Sequence, residues 1–167
     1  MRIIRLTLPL SDEDIASLKA GDKVLLSGTL YTVRDMAHRR LAEFLQDKRS
    51  LPFDLKDAAI LYAGPSPAKP GQLCGAIGPT TSERMDRYTP ALLAAGVKVL
   101  IGKGMRSSEV IHALKTHKAV YLVAVGGAAA LLSQTVLSCE TCCWEDLGPE
   151  AVYRLEVKDF PCYVSIV

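Results

Sequence analysis

The chain predicts an α/β fold, a partly parallel sheet covered by helices. Three observations carry that expectation. Compact apolar runs at 58–63, 97–101 and 119–125 have the length and character of buried strands. Helical periodicity fills the intervals at 81–95 and 107–117. Strand and helix then alternate from 97 to 132, the pattern of parallel strands joined by crossovers. The first third is richer in β pattern, which argues against a plain doubly wound sheet. The expectation is a single domain over 1–167, β-layered in its first part and α/β in its second.

In chain order, residues 2–7 alternate like a strand. Residues 11–18 read as a short helix capped by Ser11, with Asp12, Glu13 and Asp14 favoured in its first turn. Residues 23–33 are β-like, with Val24, Leu26, Leu30 and Tyr31 set among Ser, Gly and Thr. Over 34–48 the period changes: Ala37, Leu41, Phe44 and Leu45 share one helical face. Three prolines at 65, 67 and 70 exclude helix or central strand and make 64–71 a loop at the rim of a site. Helix is expected over 81–95, with Thr80 and Glu83 at capping-box spacing. Strand 97–101 ends at Gly102-Lys103-Gly104, and strand 119–125 ends at Gly126-Gly127. Short helices at 128–132 and 149–155 and a closing strand at 162–167 complete the chain. The glycine-bearing ends at Gly78, Gly102 and Gly126 are expected to open on one edge of the sheet, where open α/β folds bind ligands.

Composition excludes several classes. A net charge of +2, the absence of any Lys/Arg-rich run and an aromatic content of 6% argue against nucleic acid. No apolar run reaches the roughly 18 residues that cross a bilayer, so no membrane partner is expected. The N-terminus lacks the apolar centre of a signal peptide, and the expected location is the cytoplasm. The five cysteines, Cys74, Cys139, Cys142, Cys143 and Cys162, are an odd number, which argues against a disulfide framework. The C-x-x-C-C run admits a metal reading. A full zinc or iron–sulfur site needs about four ligands, commonly as spaced pairs, and neither Cys74 nor Cys162 is paired. The plainer reading is a group of small, semi-buried apolar side chains.

The densest chemistry is Gly78-Pro79-Thr80-Thr81-Ser82-Glu83-Arg84-Met85-Asp86. Hydroxyls, free amides at a helix start and a guanidinium suit a carboxylate or phosphate. Arg34 follows the strand closing at Val33, and Lys103 stands between two glycines after Ile101. If these ends converge, three cations clamp a substrate with two carboxylates; otherwise they are solvated charges at loop starts. Asp35 and His38, three apart, share a helical face, where a carboxylate can orient an imidazole. The alternative is that Asp35 only favours the helix start and His38 only packs. His112 and His117 read as inert surface groups. No P-loop, G-x-G-x-x-G or G-x-S-x-G pattern occurs.

These segments together resemble the β subunit of class I, iron–sulfur fumarate hydratases and L(+)-tartrate dehydratases, a unit that forms the C-terminal domain of the single-chain enzymes. The matching residues are Leu26-Ser27-Gly28, Thr32-Val33-Arg34-Asp35-Met36-Ala37-His38, Gly78 to Met85, Ile101-Gly102-Lys103-Gly104 and Gly126-Gly127-Ala128-Ala129-Ala130. Glu145 to Ala151 and Val157 to Pro161 follow in family order, over nearly the whole chain. G-P-T-T-x-x-R-M with G-K-G about twenty residues later is the most specific part. The cysteines at 139, 142 and 143 are not part of the family pattern.

The resemblance implies a swivelling β/β/α fold and a hydro-lyase that adds or removes water on a C4 dicarboxylate, fumarate to malate first and L(+)-tartrate as the alternative. It implies that this chain binds no cofactor and no metal. The [4Fe–4S] cluster, a Lewis acid on the departing hydroxyl, belongs to a partner α subunit in a hetero-oligomer such as α2β2. Thr80, Thr81, Arg84 and Lys103 match catalytic positions, with Thr80 favoured as base. Arg34, Gly78, Arg84 and Lys103 match substrate-binding positions, and Asp35 and His38 read as supports that hold Arg34. Alone, the chain is expected to be inactive. The competing readings are a stand-alone anion-binding or regulatory domain and a small metal-binding protein built on the three clustered cysteines.

Overall fold

β2 (Lys23–Thr32) is the spine of the molecule. One of its edges takes β1 (Ile3–Thr7) along its first half and β3 (Ala59–Leu61) at its far end, both parallel. Its other edge runs antiparallel along β7 (Val152–Ile166), a strand of 15 residues. β4 (Val99–Gly102) and β5 (Val120–Val123) continue parallel from β3, and β5 returns to the end of β7 in antiparallel pairing. The sequence of pairings β2–β3–β4–β5–β7–β2 therefore closes on itself. β6 (Val136–Cys143) lies outside that ring, antiparallel to the first half of β7. The computed structural model describes residues 1–124 and 128–167, so the expected turn at Gly126-Gly127 lies outside the described residues.

The apolar residues divide by strand periodicity. Ala59, Leu61, Val99, Ile101, Val120 and Leu122 face one cluster, shared with Val24, Leu26, Leu30, Leu155, Val157 and Phe160. The residues between them, Ile60, Leu100 and Tyr121, face a second cluster built with helices α2 (Asp35–Gln46), α3 (Thr89–Ala94) and α4 (Ser108–Thr116). A period of two thus buries both faces of the parallel strands, which is why they read as unbroken apolar runs. On β2, Gly28 sits at a register shift with φ +126°, where a Cβ would stand 2.9 Å from Leu8 Cβ. Only glycine fits that approach.

The α/β expectation holds, and the strands at 2–7, 23–33, 58–63, 97–101 and 119–125 appear within a residue or two of their expected ends. Ser11 caps α1 (Asp12–Ala16) through a full capping box with Asp14. A fifth helix, α5, covers Ala129–Ser133.

Two expectations need correction. The 81–95 helix is instead a 3₁₀ turn, Ser82–Met85, followed by α3, which begins at Thr89-Pro90. Proline suits the first turn of a helix and not its middle, so Pro90 marks a fresh start. The Thr80–Glu83 capping box does not form either; Thr81 occupies the cap position without a side-chain bond. At the C-terminal end, 149–155 is not helical. A 3₁₀ segment, Glu145–Glu150, contains the Gly148-Pro149 kink, and β7 begins at Val152. Val152, Leu155 and Val157 are buried while Arg154 is exposed, so this segment faces its neighbours as a strand does. The strand expected at 162–167 is only the last third of β7. β6 has no counterpart in the sequence reading, because Ser138, Glu140 and Thr141 interrupt its apolar pattern.

Candidate functional site

Parallel pairing brings the carboxyl ends of β2, β3 and β4 to one edge of the sheet. Arg34 caps α2 just beyond β2. Tyr62, Ala63 and Gly64 follow β3, and Lys103 follows β4. The Gly78-to-Asp86 segment crosses these ends. It is anchored by Thr80 N–H donating to Tyr62 O at 2.7 Å, and an isolated parallel bridge joins Thr81 to Lys103.

Arg84 lies at the centre. Its Nη2 donates to Thr80 Oγ1 at 2.7 Å and to Asp35 Oδ2 at 3.0 Å. The Arg84 side chain keeps about half its surface open, 49%. Lys103 and Thr81 are exposed. Ser82 Oγ lies so close to Gly102 that a Cβ there would stand 2.0 Å from it. Glycine at 102 is what lets the serine reach the Lys103 N–H, at 3.0 Å.

The two groups expected to hold Arg34 divide their work. His38 is fully buried, and its Nδ1–H donates to the Arg34 carbonyl at 2.8 Å. Burial drives its pKa down to about 4, so the ring is neutral at pH 7. Asp35 reaches across to Arg84 instead. The Arg34 side chain lies over Gly64, where a Cβ would stand 2.9 Å from Arg34 Cδ, and Arg34 Nε is buried with no hydrogen-bond partner among the described residues.

Gly78 does not end a strand. It closes the proline-rich loop and packs on α5, where its Cβ would stand 3.2 Å from that of Ala129. Two of the amides anticipated as free here are engaged: Thr80 N–H serves Tyr62 O, and Ser82 N–H serves Lys103 O at 3.0 Å.

Beneath the edge lies a polar network that sequence reasoning missed. Arg106, its side chain fully buried, donates through Nε to Asp86 Oδ1 at 2.7 Å and through Nη2 to Thr89 Oγ1 at 2.9 Å and Tyr62 Oη at 3.1 Å. Burial opposes the Arg106 charge, but Tyr62 and Asp86 outweigh it and raise its pKa. Burial also raises the pKa of Tyr62 and Tyr121, so both stay protonated. Asp86 is the last residue of the motif segment, which was the available signal; Arg106 lies only two residues past Gly104.

The cysteines do not form a metal centre. Among the described residues, no three His, Cys, Asp or Glu side chains converge as a ligand set. Cys139 packs toward the first cluster, and Cys142 and Cys143 toward the second, helix-covered one. Burial pushes Cys139 up to about 11 and Cys143 up to about 12, and raises Cys74 and Cys162 as well. These thiols stay protonated at pH 7. The residues present do not fit an iron–sulfur cluster. A cavity of about 620 Å³ between α1 and α4 shares no residue with the strand-end group.

Fold and edge together define an α/β unit that presents cations and hydroxyls at the carboxyl ends of parallel strands. The chain belongs to the fumarase C-terminus family, whose model matches residues 1–167. It is 40% identical over 154 residues to the aerobic class I fumarate hydratase of Escherichia coli, covering 91% of this chain and 28% of that protein. It is 38% identical over 166 residues to the L(+)-tartrate dehydratase subunit beta of Escherichia coli, covering 96% of this chain and 81% of that subunit. A putative L(+)-tartrate dehydratase subunit beta of Methanocaldococcus jannaschii is 39% identical over 156 residues, 90% of this chain and 80% of that subunit. The chain thus spans under a third of the fumarate hydratases it matches and about four-fifths of the beta subunits. Among the described residues no helix is long and apolar enough to cross a membrane.

Proposed function

We propose that this chain is the β subunit of a cytoplasmic hydro-lyase that reversibly adds water to a C4 dicarboxylate, fumarate to malate. In this reading residues 1–167 are one domain of the swivelling β/β/α type, and the partner is an α subunit in an α2β2 or similar assembly. The [4Fe–4S] cluster, which supplies Lewis acidity toward the hydroxyl, belongs to that partner. The observation that carries the reading is Arg84 Nη2, which donates to both Thr80 and Asp35, on a segment bridged to Lys103. Half-exposed Arg84 and exposed Lys103 suit a pocket that a second polypeptide completes.

Loss of water begins with a proton leaving the carbon beside a carboxylate. Negative charge then gathers on that carboxylate. In this reading Arg84, Lys103 and Arg34 are the cations that stabilise the charge more in the transition state than in the ground state. Thr80 Oγ1 already accepts a charged hydrogen bond from Arg84 at 2.7 Å. That bond stabilises an alkoxide over a neutral hydroxyl, the condition under which threonine serves as a base. Thr81 and the Gly78 backbone orient the substrate. Asp35 holds Arg84, and His38 holds the Arg34 backbone.

The test is a hydration assay under anoxic conditions with this chain, its partner and the reconstituted pair, on fumarate, L(+)-tartrate and methylated C4 diacids. Activity only on mixing, fastest with fumarate, supports the reading. Fastest turnover of L(+)-tartrate reassigns the substrate. Lack of turnover of every diacid by a cluster-loaded pair leaves the chain as an anion-binding domain.

A further inference from the structure

The Gly102-to-Ser107 loop is tied to the motif segment along its length. Ser82 N–H donates to Lys103 O, and Lys103 N–H donates back to Ser82 Oγ, both at 3.0 Å. Tyr121 Oη lies 2.9 Å from Gly104 O and 2.8 Å from Ser82 Oγ. A carbonyl can only accept, so the phenol proton goes to Gly104 and the serine hydroxyl donates to Tyr121. Asp86 closes the far end. Its Oδ1 accepts from Arg106 Nε and its Oδ2 from Ser107 N–H, each at 2.7 Å.

Arg106 also lies near the Tyr62 and Tyr121 rings, its guanidinium carbon 5.2 and 4.7 Å from their centroids. It is buried, while Met105 beside it is 84% exposed. A buried ion pair carries a desolvation penalty that an apolar filling avoids. Gly-Lys-Gly has wide conformational freedom, and Gly104 adopts φ +87°. The pair sits where that freedom would otherwise scatter the lysine.

We propose that Asp86 and Arg106 are positioning residues that, with the Tyr121 hydroxyl, fix the Gly102-to-Ser107 backbone so that the Lys103 ammonium meets the same anion as Arg84. The proposal rests on the hydro-lyase reading and concerns residues that act through Lys103 without touching substrate.

A double-mutant cycle tests it. Binding of succinate, a dicarboxylate that cannot be hydrated, is measured by calorimetry on the assembled complex, alongside fumarate turnover. Arg106→Lys and Tyr121→Phe are each made in the parent and in Lys103→Ala. Each is expected to weaken succinate binding by about tenfold in the parent and by less than about twofold in Lys103→Ala, because the ammonium they position is already gone. Equal losses in both backgrounds mean a general structural role and overturn the proposal, as does no loss in the parent. If Arg106→Lys prevents assembly, Tyr121→Phe, which keeps the ring, decides alone. If Lys103→Ala itself leaves binding and turnover intact, the hydro-lyase site reading fails, and this proposal falls with it.

Discussion

Asp35 and Arg84 lie 49 positions apart in the chain, yet the Asp35 carboxylate accepts from Arg84 Nη2 at 3.0 Å. The pair links the start of α2 to the motif segment across the strand ends. Arg84→Ala and Lys103→Ala should each abolish turnover in the assembled complex and leave the fold intact, since both side chains are exposed. Arg84→Lys should lower kcat/KM by about a hundredfold, because one ammonium would have to serve Thr80, Asp35 and the substrate together, whereas in the guanidinium Nη2 alone serves the first two. Asp35→Asn should cost about tenfold, the loss of one charged hydrogen bond. Steady-state kinetics beside circular dichroism checks all four, and near-normal kcat/KM in Arg84→Ala or Lys103→Ala removes that residue from the site.

Thr80 and Thr81 separate by their partners. Thr80 Oγ1 is engaged by Arg84, while Thr81 is exposed. Thr80→Val should lower kcat on the order of a hundredfold with a small change in KM, as removal of a base does, and Thr80→Ser should recover much of it. Thr81→Val should act mainly on KM. A reversed pattern would move the base to Thr81.

Much of this arrangement was legible in the chain itself. Apolar runs placed the parallel strands, and glycine with proline placed the turns that deliver Lys103 and the motif hydroxyls. Arg34, Arg84 and Lys103 stood out because each follows a strand or turn. The pairing of Asp35 was not legible: three-residue spacing on a helix pointed it toward its neighbours, whereas packing of the motif segment offered it Arg84. Arg106 gave no local signal, since burial of a charge depends on Asp86, Tyr62 and Thr89 arriving from separate elements. β6 was hidden because it flanks β7 outside the closed ring, with four intermediate and two exposed residues beyond Val136 and Leu137. Its hydrophobic period is accordingly weak.

Gly102 tests how tightly the edge is built. An alanine Cβ there would stand 2.0 Å from Ser82 Oγ and 2.7 Å from Tyr62 Cδ2. Gly102 is a strand residue on the buried side of the loop, so neither neighbour can move without breaking a hydrogen bond. Gly102→Ala should destabilise the chain by about 1–3 kcal/mol, seen as a lower urea midpoint with unchanged slope. Gly104→Ala tests another limit: its Cβ meets nothing within 4 Å, but φ +87° is strained for any other residue. It should cost about 1 kcal/mol through the backbone alone.

His38 should impose a pH dependence on stability. Its native pKa is about 4, against about 6.5 in the unfolded chain. Burial is the main cause; the Arg106 charge adds to it, while the Arg34 carbonyl and Asp35 oppose it. Between those values the unfolded chain takes up a proton that the native imidazole refuses. The stabilisation is therefore complete above about pH 6.5 and is lost as the pH falls toward 4, by up to roughly 3 kcal/mol. Urea unfolding at pH 7 and pH 4.5 should show this loss in the wild type. In His38→Gln the part due to the imidazole should vanish, leaving only the slope from carboxylates. Equal pH slopes in the two proteins would mean that the ring takes up its proton in the folded state as readily as in water.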